Sequence, residues 1–145
     1  MVNRGLVFDT SGITDFTNMF SGEFDELPVI STIGASVVKN IFAYTPNLVT
    51  VEKLVLKSDG SQTFTNAFLQ CSALQNLVIE GCIGQNGFNV SPANKLTVDS
   101  LMSIINALAV LPSGTTHTVT LGTTNLNKLT DAQKAIATQK GWTLA

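Results

Sequence analysis

Phe64-Thr65-Asn66-Ala67-Phe68-Leu69-Gln70-Cys71-Ser72-Ala73-Leu74-Gln75-Asn76-Leu77-Val78-Ile79 is the stretch that decides the fold, because its pattern occurs twice more upstream. Phe16-Thr17-Asn18-Met19-Phe20 leads to Phe24, Leu27 and Val29. Val38-Lys39-Asn40-Ile41-Phe42 leads to Thr45, Leu48, Val51, Leu54 and Leu56. Each unit has an aromatic or apolar residue, two spacers, a small or apolar residue and a Phe, then apolar residues at every third position. Each closes on an apolar-x-apolar step: Leu27-Pro28-Val29, Leu54-Val55-Leu56 and Leu77-Val78-Ile79. The every-third portion suits a 3₁₀-like turn or short helix that buries one edge. The closing step suits a short strand with one buried face. A unit this small cannot cover its own apolar face, so it must stack on its neighbours.

The closing steps recur about every 23 to 27 residues, inside the leucine-rich-repeat range. The expected fold is therefore α/β: a leucine-rich-repeat solenoid with short parallel strands stacked on one face, 3₁₀ or α turns on the other, and a helical C-terminal cap. The expected core is Phe20, Phe42, Phe68, Leu27, Leu54, Leu77, Val29, Leu56 and Ile79. One domain over residues 1–145 follows, with three short repeats in 1–80 and longer helical units plus the cap in 81–145.

The second half departs from the repeat spacing. Glu80 to Pro92 is rich in Gly and Asn, with one short alternation at Phe88-Asn89-Val90 that predicts a strand on the return side. Thr97 or Asp99 can cap a helix through Leu111, in which Leu101, Ile104, Ile105, Leu108 and Leu111 share one face. Pro112-Ser113-Gly114 ends it. Thr118-Val119-Thr120-Leu121 alternates as a strand. Thr130 and Gln133 are placed for a capping box on a last helix that stops before Gly141, and Trp142-Thr143-Leu144 forms a final strand.

Composition narrows the function. Only 12% of residues are charged, about half the usual share, and the net charge is -2. Thr, Asn and Ser together supply 41 of the 145 residues, so uncharged polar groups carry solubility. Scattered Lys and Arg offer no stripe for a phosphate backbone, so nucleic acid is not an expected partner. No apolar run reaches the length of a membrane span and no polybasic segment faces anionic lipid, so membrane insertion is not expected. Met1-Val2-Asn3-Arg4-Gly5 leads into polar sequence without the apolar region of a signal peptide. If the protein works outside a cell, another segment or a particle must carry it there. A surface of hydroxyls and amides suits extracellular or virion life and contact with sugars.

Two runs bring a family into view. Asp9-Thr10-Ser11-Gly12-Ile13-Thr14-Asp15-Phe16-Thr17-Asn18-Met19-Phe20 and Ala67-Phe68-Leu69-Gln70-Cys71-Ser72-Ala73-Leu74 resemble the mycoplasma-type surface repeat and the related Treponema or BspA-like leucine-rich repeat. Ile33-Gly34 leading to Ile41-Phe42 fits the second pattern. The segment from Leu96-Thr97-Val98-Asp99 to Gly141-Trp142 looks like a tail found in surface and phage tail proteins of gut Firmicutes. The first unit is short between Phe20 and Phe24, and Thr45 stands where the third unit has Cys71. The resemblance implies attachment: a receptor-binding domain of a phage tail fibre located in the virion, or an adhesin on the bacterial cell surface. Partners so implied are a host-surface glycan or protein and other fibre subunits, with a trimer if the chain forms a fibre tip. A capping or oligomerisation module that stiffens a fibre is the structural alternative.

Residues able to carry chemistry are few. Any triad must use the single histidine, His117, which has no nucleophile elbow to serve and sits among threonines where a rim position is expected. Asp9, Asp15, Glu23, Asp25 and Glu26 could supply a carboxylate pair, but turn capping accounts for them better. Asn89-Val90-Ser91 matches a glycosylation sequon by chance. Trp142 is expected to plug the last rung rather than to present a sugar platform. Cys71 and Cys82 fit no zinc spacing and are expected as buried free thiols, with a disulfide as the alternative. No catalytic residue, metal or cofactor is expected. Binding is expected on the exposed strand face, where alternation turns Lys53, Val55, Lys57, Asn76, Val78, Glu80, Thr118 and Thr120 outward.

Overall fold

The computed structural model describes residues 8–145, so the signal-peptide reading of Met1–Gly5 lies outside the described residues. Strand β1 (Glu26–Ser31) pairs in parallel with β3 (Thr50–Val55), and β3 with β5 (Asn76–Glu80). Strands β2 (Val37–Lys39) and β4 (Thr63–Thr65) form a second parallel pair. Helix α1 (Val98–Ala107) follows, then β6 (His117–Val119), α2 (Thr123–Leu126), α3 (Asp131–Gln139) and β7 (Trp142–Leu144), with β6 and β7 as a third parallel pair. The α/β class and the parallel strands agree with the sequence.

The solenoid does not form. The strands fall into three separate small sheets, ordered β1-β3-β5, β2-β4 and β6-β7, and no single stacked sheet runs along the chain. The reason lies at the edge of β5. A fourth strand there would have to meet the Leu77 and Ile79 N–H groups, but α1 reaches them first. Ser100 Oγ accepts from Leu77 N–H at 3.0 Å, and Ser103 Oγ accepts from Ile79 N–H at 2.8 Å. Ser100 Oγ also donates to Gln75 O at 2.9 Å. A helix rises about 1.5 Å per residue against about 3.3 Å for a strand, so its backbone cannot continue the ladder and side-chain hydroxyls take over. Beyond this point the Gly-rich stretch contributes only isolated bridges, Ile83 to Leu108 and Asn89 to Thr120.

The turns also differ from expectation. The every-third segments fold as successive hydrogen-bonded turns rather than short helices, as in Cys71 N–H to Phe68 O at 3.1 Å and Leu74 N–H to Cys71 O at 3.3 Å. Asn18, Asn40 and Asn66 adopt φ of 56°, 52° and 50°, and Tyr44 and Gln70 both adopt 62°. Left-handed residues at fixed places in each unit interrupt any helical run. Asn tolerates the geometry well, and it occupies the same repeat position three times.

The core is an aromatic row with aliphatic strands beside it. Phe8, Phe20, Phe42, Phe68 and Phe88 lie ring on ring, with successive centroids 5.7, 6.0, 5.6 and 5.9 Å apart. Leu27, Leu54, Leu56, Leu77 and Ile79 are buried as expected. Val29 is not: it is 41% exposed, and Ile30 is buried in its place. The inward residues of β1 and β3 are three apart, Leu27 and Ile30 against Val51 and Leu54, whereas those of β5, Leu77 and Ile79, are two apart. The register shift between Val51 and Leu54 absorbs the difference. One extra residue in a strand turns the following side chains over, and Val29 goes to solvent.

Polar groups complete the fold. Thr97 caps α1 by accepting from Ser100 N–H at 3.1 Å, and Thr130 and Gln133 form the expected capping box on α3. Among the predicted carboxylates, Asp9 and Asp15 accept from the N–H of Ser11 and Thr17, at 3.1 and 2.9 Å. Asp59 does the same for Ser61 at 2.9 Å, and Asn89 for Ser91 at 2.9 Å, so the sequon is one more turn of this kind. Hydrogen bonds from Ser11, Thr17 and Ser61, side chain first and backbone second, hold the three carboxyls below the ordinary carboxylate range. A lowered folded value favours the ionised, folded form. The stabilisation is therefore full above the ordinary range and disappears as pH falls through the lowered values. All three are fully exposed, so each contribution is small. In Asp59→Asn, which keeps an acceptor for the turn, the drop in melting temperature from about pH 7 to about pH 2 should be smaller than in the parent.

Candidate functional site

The outward face of the three-stranded sheet presents its side chains in three rows. Glu26, Thr50 and Asn76 form the first, through the register Glu26 to Thr50 to Asn76. Val29 and Lys53 lie opposite each other in the second, with Glu52 and Val78 completing it at the register shift. Ser31, Val55 and Glu80 form the third. Two contacts cross the strands: Asn76 Nδ2 donates to Thr50 Oγ1 at 3.2 Å, and Lys53 Nζ pairs with Glu80 Oε2 at 3.0 Å. Both partners of that ion pair are well exposed, so it orders the face more than it stabilises the fold. Val29 and Val78 stay 41% and 47% exposed on the two edge strands, either side of the charged Glu52 and Lys53 of β3.

Lys53, Val55, Asn76, Val78 and Glu80 are thus brought together as the sequence predicted, and Lys57 lies two residues beyond the end of β3. Thr118 and Thr120 are not part of this face. Thr118 lies in β6, paired with Thr143 of β7, and its N–H donates to Asn86 Oδ1 at 2.8 Å. Thr120 bridges Asn89. Their alternation was read correctly, but α1 rather than β6 lies next to β5. Glu26, Val29, Ser31, Thr50 and Glu52 belong to the face and were missed. The three-residue spacing Leu27 to Ile30, repeated as Val51 to Leu54, was the available signal.

The other candidates have structural roles. His117 is half-buried, its ring edge-on to Trp142 with centroids 5.3 Å apart. Trp142 is 2% exposed and donates from Nε1 to Ala109 O at 2.8 Å, consistent with a core plug. Both cysteines are free. Cys71 is buried against Thr45 Oγ1 at 3.2 Å and Phe42 O at 2.9 Å, and burial pushes its thiol up to about 11. That value removes it from nucleophilic chemistry at neutral pH. Cys82 is only half-buried, contrary to expectation. It sits beside Gly60, in a close approach where a Cβ on Gly84 would come within 2.9 Å of Gly60 Cα. Among the described residues no group of three or more His, Cys, Asp or Glu could hold a metal ion.

The fold and site together define a small α/β protein with an exposed parallel-sheet face. Compared with family models, curated proteins and solved structures, the chain matches none.

Proposed function

We propose that the chain is a non-enzymatic attachment module whose sheet face binds a short stretch of surface glycan on a host cell. The observation that carries this is the three-row face, with Lys53 and Glu52 on its central strand, Val29 and Val78 on its edge strands, and Thr50, Asn76 and Glu80 beside them. Three strands about 4.8 Å apart and five or six residues long make a backbone patch of about 10 by 17 Å. A stable protein interface needs about 800 Å² per partner, several times that patch, whereas one or two sugar rings fit within it. Amides, hydroxyls and charged groups hydrogen-bond sugar hydroxyls, and each valine offers an apolar contact to a separate ring at its edge of the face. The register is set by backbone ladders, so the groups are held in place before a ligand arrives.

A phage tail or bacterial surface setting accords with the resemblance of residues 9–20 and 67–74 to surface repeats, and with the Thr-, Asn- and Ser-rich composition. A folded Thr50→Ala, Asn76→Ala, Val78→Ser triple variant should adsorb to envelope polysaccharide at least tenfold less well than the parent. Thr118→Ala with Thr120→Ala should leave adsorption unchanged. If the triple variant adsorbs as the parent does, the face is only solvated surface.

A further inference from the structure

An open groove of about 530 Å³ runs beside β7, in a different sheet from the face described above. Thr116, Lys134, Thr138, Gly141, Trp142, Thr143 and Leu144 line it. Its size falls within the range of small-molecule sites. Three features of its chemistry restrict what it can hold.

The first is Lys134. Two nearby lysines use their ammonium groups inside the protein: Lys128 Nζ donates to Asn94 O and Leu96 O at 2.9 and 2.8 Å, and Lys140 Nζ to Ile105 O and Asn106 O at 3.1 and 3.0 Å. Lys134 Nζ has no partner among the described residues, and no carboxylate lines the groove beside it. The second is Thr138, whose hydroxyl already donates to Ala135 O at 3.1 Å. With that bond kept, its oxygen is left to accept, which favours a ligand that brings a donor. A fully ionised phosphate or sulfate has none to offer. The third is the wall formed by Leu144 and the bare backbone of Gly141, to which the buried Trp142 adds little surface. Gly141 has φ of 94°, and an added Cβ would come within 3.1 Å of Leu111 Cβ, so a side chain is disfavoured there.

A ligand that satisfies all three carries one carboxylate for Lys134, hydroxyl donors for Thr138, and an apolar ring face for the wall. Thr116 and Thr143 are exposed and can donate or accept. We infer that the groove beside β7 is a binding site for an acidic saccharide, such as a uronic acid residue of a polysaccharide. The site is independent of the sheet face and uses none of its residues.

Trp142 is the only tryptophan in the chain, so its fluorescence reports on the groove. Titration with glucuronic acid should change that fluorescence saturably, with glucose, acetate and inorganic phosphate each at least tenfold weaker. Lys134→Gln, at the parent melting temperature, should weaken glucuronic acid binding at least tenfold, and Thr138→Val several-fold. The Thr50, Asn76, Val78 triple variant should bind glucuronic acid as the parent does. Equal binding of acetate or phosphate, unchanged binding by Lys134→Gln, loss in the sheet-face variant, or no response to glucuronic acid would each overturn the assignment.

Discussion

Phe68→Ala should lower the free energy of unfolding by about 3–5 kcal/mol, the usual cost of truncating a buried phenylalanine. Phe68 is 1% exposed, and its ring lies between Phe42 and Phe88 at 5.6 and 5.9 Å. Removing it opens a cavity in the middle of a five-ring row. The neighbouring rings are held by their own units and cannot collapse into the gap, so both transfer and cavity terms are lost. Chemical denaturation followed by far-UV circular dichroism measures it. A loss under about 1 kcal/mol would mean that the units are not stacked in this register.

Gln62→Leu should cost at least about 2 kcal/mol, although it changes side-chain volume little. Gln62 is 2% exposed, and its amide joins three backbone groups of two units. Its Oε1 accepts from Lys57 N–H at 2.7 Å, and its Nε2 donates to Thr32 O at 2.7 Å and Ala35 O at 2.9 Å. A buried polar group left unpaired costs about 1–3 kcal/mol, and leucine leaves two of them, Lys57 N–H and Ala35 O, while Thr32 O keeps the Ala35 N–H at 3.0 Å. The same denaturation experiment distinguishes this from a packing effect. Gln62→Met should be equally damaging, because neither apolar side chain can replace the bonds.

Much of the fold could be read from particular residues. The recurrence of Phe20, Phe42 and Phe68 located the core, and Thr97, Thr130 and Gln133 located the starts of α1 and α3, because apolar periodicity and capping are local signals. Phe8 and Phe88 extend the row but belong to no repeat, so the pattern did not reveal them. The solenoid expectation went wrong where local pattern stops being informative. Ser100 and Ser103 look like ordinary polar helix positions, and only the fold shows that their hydroxyls close the β5 edge and end the stack. Of the site, Lys53, Val55, Asn76, Val78 and Glu80 were legible from alternation. Val29 was assigned to the core because the apolar-x-apolar template has no place for the extra residue in β1 and β3. Thr118 and Thr120 were misplaced because strand alternation fixes which face a side chain takes, but not which strand lies next to it.

Backbone amide shifts test most directly whether the β1-β3-β5 face is the contact surface. With fragments of envelope polysaccharide titrated into labelled protein, shifts should concentrate at Val29, Thr50 to Val55 and Asn76 to Glu80. Shifts confined to the 81–91 loop, or none at saturating fragment, would contradict it.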